Sequence, residues 1–240
     1  MSGSDYQANS EPVKFNHEDA EDLASACDQA ASAVENQTGS RSAWRNTGLD
    51  GFEGYYANLF RSNGSVQLSA ITDLATQLRQ VASFIRTLAE AASAEQKRRD
   101  EAKDWLDRKA DLESHDGFGD TLSDWGRSLK DALWADKPPL EVTPPPTFDA
   151  VAVTPGERQP LTGSGGSGRT SALPENLRSF ASASRGGDAE LSGWPSGLRS
   201  KYQTFQTTCQ WGTVIADGVW AGFDQYLAGN ESEAVWADTV

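Results

Sequence analysis

An all-α fold is predicted by three features of this sequence. Two stretches space their apolar residues alternately three and four apart: Ala20, Leu23, Cys27, Ala30 and Val34, then Ile71, Leu74, Leu78, Val81, Ile85, Leu88 and Ala92. That is the period of a helix packed along its length against another helix. A third stretch, Leu198, Tyr202, Phe205, Cys209, Gly212, Ala216, Val219, Phe223 and Tyr226, keeps the same alternation. Between them lies a run rich in Pro, Gly and Ser. The predicted architecture is therefore an antiparallel, coiled-coil-like helical hairpin, a Pro/Gly-rich linker, and a second helical hairpin. Residues 1–14 read as a disordered tail, 15–136 as the first hairpin with a lid helix, 137–171 as the linker and 172–240 as the second helical segment.

The first helix has a clear start. Asn16 can cap it, Phe15 and Ala20 are placed as a staple, and Glu18, Asp19, Glu21 and Asp22 complement the positive end of the helix dipole. Its stripe of Ala20, Leu23, Ala30 and Val34 is narrow and made of small residues, which lets a partner helix approach closely. NQTGSR at 36–41 and SNGS at 62–65 read as breakers. Between them Trp44, Gly48, Phe52, Tyr55 and Tyr56 set rings beside glycines, as expected of a ring-plugged hairpin elbow.

The long second helix carries the widest apolar stripe. It is expected to run on through EQKRRDEAKDWLDRK into solvent and to end near SHDGFG, with Lys97, Arg98 and Arg99 neutralised by acidic neighbours. Phe118 to Trp134 reads as a lid. The run from 137 to 171 is stiff where proline-rich and flexible where glycine-rich, with nothing to build a core. Pro174 suits a first helical position, and Trp211–Gly212 with Asp217–Gly218 suits a second elbow better than one long helix. The last helix is still running at AVWADTV, as in a fragment of a longer protein.

Composition narrows the function. With 37% hydrophobic residues and a mean hydropathy of -0.58, the chain suits small helical modules rather than a large enzyme. A net charge of -14 repels nucleic acid and anionic lipid, so neither is an expected partner. Cys27 and Cys209 lack metal-ligand spacing and read as buried thiols, with a single bridge between them left open. There is no Sec-type leader pattern in MSGSDYQANSEPVKF and no run of the ~20 apolar residues that crosses a bilayer, so stable membrane insertion is not expected.

A polar helix of small residues, an elbow carrying Trp44 with Phe52 beyond it, and a heptad-patterned second helix resemble the WXG family of type VII secretion substrates of Gram-positive bacteria. SRSAWRNTGLDGFEGYYANLF and LATQLRQVASFIRTLAEAASAEQKRRDEAKDW are similar to the targeting module that precedes toxin domains in actinobacterial polymorphic toxins. The resemblance covers about 16–136, and CQWGTVIADGVWAGFDQYLAGNESEAVW is similar to the hairpin-like piece that follows in such proteins. It implies a hairpin that pairs with another hairpin into a four-helix bundle for Sec-independent export, ahead of a toxin domain further on. The partner-binding seam would be Ala20, Leu23, Ala30, Val34, Ile71, Leu74, Leu78, Val81, Ile85 and Leu88, contacting a small WXG-like partner or a second copy of the chain, with the export machinery as a further partner. A second-segment seam would comprise Tyr202, Phe205, Trp211, Gly212, Val219 and Phe223. Two departures stand out. The elbow tripeptide is Trp44–Arg45–Asn46, and no Tyr-x-x-x-Asp/Glu export tag is present. A cytoplasmic adaptor that is never secreted is the alternative.

No catalytic constellation, cofactor or metal site is expected. Gly163, Gly165 and Gly168 satisfy G-x-G-x-x-G but lie in the linker without a preceding strand, and His17 and His115 stand far from any cysteine or serine motif. The carboxylates are scattered over helix faces, where solvation is the default.

Overall fold

The computed structural model describes residues 10–115, 142, 144–148, 157–161, 170–212 and 218–240. Among them the regular elements are six helices: α1 His17–Asn36, α2 Thr38–Leu49, α3 Tyr55–His115, α4 Pro174–Leu191, α5 Trp194–Thr208 and α6 Gly218–Thr239. The chain is all-α, with paired antiparallel helices as the heptad spacing requires. The lid at 118–134 and the glycines at 163–168 lie outside the described residues.

The helices form four rods. α1 and α2 are nearly one rod, interrupted only at Gln37, whose backbone stays in the right-handed helical region. The expected breaker at 36–41 is therefore a one-residue joint, because Arg41 N–H still bonds the Gln37 carbonyl at 2.9 Å. Asn16 Oδ1 caps α1 by accepting from the backbone N–H groups of Glu18 at 3.0 Å and Asp19 at 3.3 Å. The reversal occupies only Asp50–Gly54, where Gly51 and Gly54 take φ of +67° and +98°. At Gly51 a Cβ would come within 2.7 Å of Leu173, so both conformation and space require glycine there.

SNGS at 62–65 does not break α3. Its polar residues are used across the bundle instead: Asn63 is buried, and Gly64 leaves room for the Arg45 side chain, whose Nε lies 2.9 Å from where a Cβ would be. α3 has 61 residues, roughly 90 Å of helix, and outruns α1, whose start is tied to it by Val13 N–H donating to Gln96 Oε1 at 2.7 Å. The far end of α3 is not simply solvated, since Ala102 and Trp105 are buried. Arg98 and Arg99 both donate to the buried carboxylate of Glu95, at 2.7 to 2.9 Å.

α4 and α5 form the third rod, broken at Ser192–Gly193, and α6 is the fourth. The chain leaves the helix after Thr208, and at Gly212 a Cβ would sit 2.8 Å from the Gln206 backbone, so close packing of the chain reversal explains that glycine. Ion pairs fix the directions. Arg86 with Glu21 and Asp28, and Arg79 with Glu35, set α3 antiparallel to α1. Arg199 with Asp224, and Arg185 with Glu231 and Asp238, set α6 antiparallel to α4–α5. Gln37 with Glu190, Lys201 with Asp22 and Cys209 with Asn16 place α4–α5 antiparallel to α1. The result is a four-rod bundle whose second and third rods are joined by one long crossover.

That crossover is not a bare spacer. Phe148 packs on Phe84 with ring centroids 4.6 Å apart, Leu161 is buried in the elbow cluster, and Ser171 pairs its backbone with Glu53. Its described residues thus place single side chains on the bundle, Phe148 against α3 and Leu161 in the elbow cluster.

Most of the apolar stripe lies in one continuous cluster. Ala20, Leu23, Ala30, Val34, Ile71, Leu74, Leu78, Val81, Ile85 and Leu88 are at most 4% exposed, and they share that cluster with Leu198, Tyr202, Phe205, Trp211, Trp220 and Phe223 from the C-terminal rods. The residues expected to face a partner are thus buried between helices of the same chain. Cys27 and Cys209 are both buried free thiols, and burial raises the Cys27 thiol to about 12.

Candidate functional site: a buried polar layer

A second apolar cluster fills the elbow end, with Phe52, Ala57, Phe60, Leu161, Leu177, Phe180, Ala181, Ala234 and Ala237. Phe60 is its centre. Its ring meets Phe180 edge-on at 4.8 Å and lies 5.9 Å from Trp236 and 6.1 Å from Phe52. Gly48 has no Cβ because one would lie within 3.2 Å of Phe60 and Phe180, so it serves helix packing rather than the turn. Trp44 is half-buried and rests on Gly187 of α4, where a Cβ would come within 2.7 Å of the indole. It is an inter-rod contact rather than the elbow plug. Tyr56 is half-buried, and Tyr55 is 45% exposed and plugs nothing. Of the second-segment residues, Tyr202, Phe205, Trp211, Gly212 and Phe223 are buried, and the Val219 side chain lies outside the described residues.

Between the two apolar clusters runs a polar layer to which every rod contributes. Arg45 of α2, nearly fully buried, places two guanidinium nitrogens on the carboxylate of Glu233 in α6, at 2.5 and 2.6 Å. The same nitrogens donate to the Phe60 carbonyl at 2.8 Å and to Gln67 Oε1 at 3.0 Å. Its flat faces lie against Phe60 and Phe180, with the guanidinium carbon 4.2 and 4.8 Å from the ring centroids. One turn earlier, Arg41 donates to Asp188 of α4 at 2.6 Å and to Gln37 at 2.8 Å. Gln37 donates onward to the Gly187 carbonyl at 2.6 Å. Gln67 donates to Asn230 at 2.8 Å, and Asn230 donates to Asp188 at 2.7 Å.

The crossover supplies a third guanidinium. Arg158 donates to Asn230 Oδ1 at 2.5 Å and reaches Glu233 at 3.5 Å, lying flat over Gly229. Burial, together with the nearby Arg45 and Arg41 charges, lowers its pKa, while Glu233 opposes the shift. It lines a cleft of about 460 Å³ between α3 and α6, with Asn63, Gln225, Tyr226 and Trp236.

The division of charge is the informative feature. The first hairpin contributes the cations Arg41 and Arg45, and the second hairpin contributes the anions Asp188 and Glu233. A bidentate arginine–carboxylate pair is directional, so the layer permits one register between the hairpins and penalises slippage. Arg41 Nη1, Arg45 Nε, Ser184 Oγ and Asp188 Oδ2 are buried without hydrogen-bond partners.

His17 is exposed and its ring lies tilted against Phe15, with centroids 5.0 Å apart. Among the described residues no group of His, Cys, Asp and Glu could hold a metal ion, and no helix is long and apolar enough to cross a membrane. The chain matches no family model, no curated protein and no solved structure.

Proposed function

We propose that this chain is a non-catalytic targeting region of a type VII-secreted protein, in which the second hairpin takes the place of the separate small helical partner. The observation that carries this is the polar layer, because it joins the two hairpins of one chain through complementary buried charges, Arg41 to Asp188 and Arg45 to Glu233. The resemblance of residues 16–136 implies a hairpin that needs a second hairpin to complete a four-helix bundle. Here that second hairpin follows the crossover, and the seams Ala20–Val34 and Ile71–Leu88 are already covered. The export unit is then a folded single chain recognised from its outer surface.

The test is secretion of the chain from strains with and without the export ATPase, with light scattering to give its mass. ATPase-dependent appearance in the medium as a monomer is expected, and equal appearance without the ATPase would sink the proposal. The competing reading is a cytoplasmic adaptor, favoured by the lack of Tyr-x-x-x-Asp/Glu in the sequence. It predicts retention in both strains.

A further inference from the structure

We propose that the groove between α3 and α6 is a receptor for a short non-helical peptide, a partner protein's segment that carries an arginine and, three residues on, a large apolar side chain. Residues 157–161 of the chain itself occupy the groove as an internal stand-in. The inference concerns the crossover and stands apart from the export role.

The recognition chemistry is read from how that segment is held. Asn63, only 2% exposed and well inside α3, donates from its amide nitrogen to the Gln159 carbonyl at 3.0 Å and accepts the Gln159 N–H at 2.8 Å. One carboxamide thus pairs both backbone groups of a single residue, whatever its side chain. Without a peptide there, both ends of a buried amide would lose these partners. Side chains on either side supply selection. Arg158 enters a slot left by Gly229, where a Cβ would lie 3.3–3.5 Å from the guanidinium, and reaches Asn230 at 2.5 Å and Glu233 at 3.5 Å. Leu161 is 8% exposed in the elbow cluster, whereas Glu157, Gln159 and Pro160 are exposed.

Three observations make this occupant exchangeable. The run from 137 to 171 is rich in Pro, Gly and Ser, so the five residues are a specific motif on a tether. The buried layer is balanced without Arg158, since Arg41 and Arg45 face Asp188 and Glu233; departure of Arg158 therefore strands no charge. While seated, its charge is opposed by burial and by Arg45 and Arg41. Finally, a cleft of about 460 Å³ bordered by residues 158–161, α3 and α6 stays open beside the segment, giving a competing peptide a way in.

The test uses the whole chain with Arg158→Ser and Leu161→Ser, which empties the groove and alters no helix residue, and a fluorescein-labelled peptide TPGERQPLTG, residues 154–163, followed by anisotropy. Saturable one-to-one binding to the emptied chain is expected. Binding to the parent should be roughly a hundredfold weaker, because its tethered segment competes at an effective concentration on the order of mM. Replacing the peptide's arginine by alanine should weaken binding about tenfold, as for loss of a charge-assisted hydrogen bond. Asn63→Ala added to the emptied chain should abolish binding. Leu161→Ser alone leaves Arg158 in place and guards against misfolding of the double variant; its affinity for the peptide should fall between those of the parent and the emptied chain. Absence of binding to both variants overturns the inference, and so does equal binding of a scrambled peptide. A dimer of the parent chain that the peptide disperses would overturn the separate partner in favour of a second copy.

Discussion

The two halves of the bundle are held together by different means. From Ala20 to Val34 and from Ala70 to Ala92 the interior is dry and built of Ala, Leu, Ile and Val, with Tyr202, Phe205 and Phe223 closing it from the C-terminal rods. Toward the elbow the interior passes through Gln37, Arg41, Arg45, Gln67, Asp188, Asn230 and Glu233 before becoming apolar again around Phe60. A dry stripe stabilises many registers almost equally, because burial is non-directional. The polar layer adds less net stability but accepts only one arrangement. The molecule therefore separates cohesion from alignment along its length.

Substitutions should break the two halves differently. The largest effect is expected for Glu233→Ala, which strands the Arg45 guanidinium and should lower stability by ~3–5 kcal/mol in denaturant titration. Arg45→Met combined with Glu233→Leu should recover most of that loss while loosening register, seen as broadened amide resonances with the helix content retained. A double variant as unstable as Glu233→Ala would mean the pair supplies net cohesion after all. Phe60→Ala, at the elbow core, should cost ~3–5 kcal/mol. Leu78→Ala, in the dry half, should cost ~2–5 kcal/mol and leave the layer's resonances sharp.

Smaller effects lie nearer the surface. Trp44→Ala should cost only about 1–2 kcal/mol, as for a half-buried ring; a loss matching that of Phe60→Ala would restore Trp44 as the plug. The smallest is electrostatic. The Arg79 hydrogen bond holds the Glu35 carboxyl below its ordinary value of 4.5. Its contribution is complete above pH of about 4.5 and is lost as pH falls through the folded-state value. Both partners are more than 40% exposed, so Glu35→Gln should cost a few tenths of a kcal/mol at neutral pH and flatten acid unfolding slightly.

The rods and their pairing were legible because period alone reports them. Asn16 and Pro174 marked helix starts for local reasons that tertiary structure did not override. The breakers read differently in three dimensions, because Gly64 and Gln37 look like interruptions in one dimension but are a packing slot and a joint in the bundle. The polar layer is masked in 41–60 by the more conspicuous rings and glycines. A signal for it existed. Continuing each stripe toward the elbow leads from Val34 to Gln37, Arg41 and Arg45, and from Ile71 back to Gln67 and Asn63. It also leads from Tyr226 to Asn230 and Glu233, and from Leu191 back to Asp188 and Ser184. Polar residues replace apolar ones on all four stripes at one level. The identity of each partner across the bundle was not readable, since it depends on the order in which the rods are arranged.

The long crossover has a consequence in time. α3 ends at His115 and α4 does not begin until Pro174. At about 5–20 residues per second a ribosome needs roughly 3–12 s to make the intervening chain, and longer to finish α6. During that interval the first hairpin exists with Leu78, Ile85 and the Arg45 guanidinium uncovered. The nascent chain thus passes through a stage in which its seam is open, a stage that closes when its own second hairpin emerges.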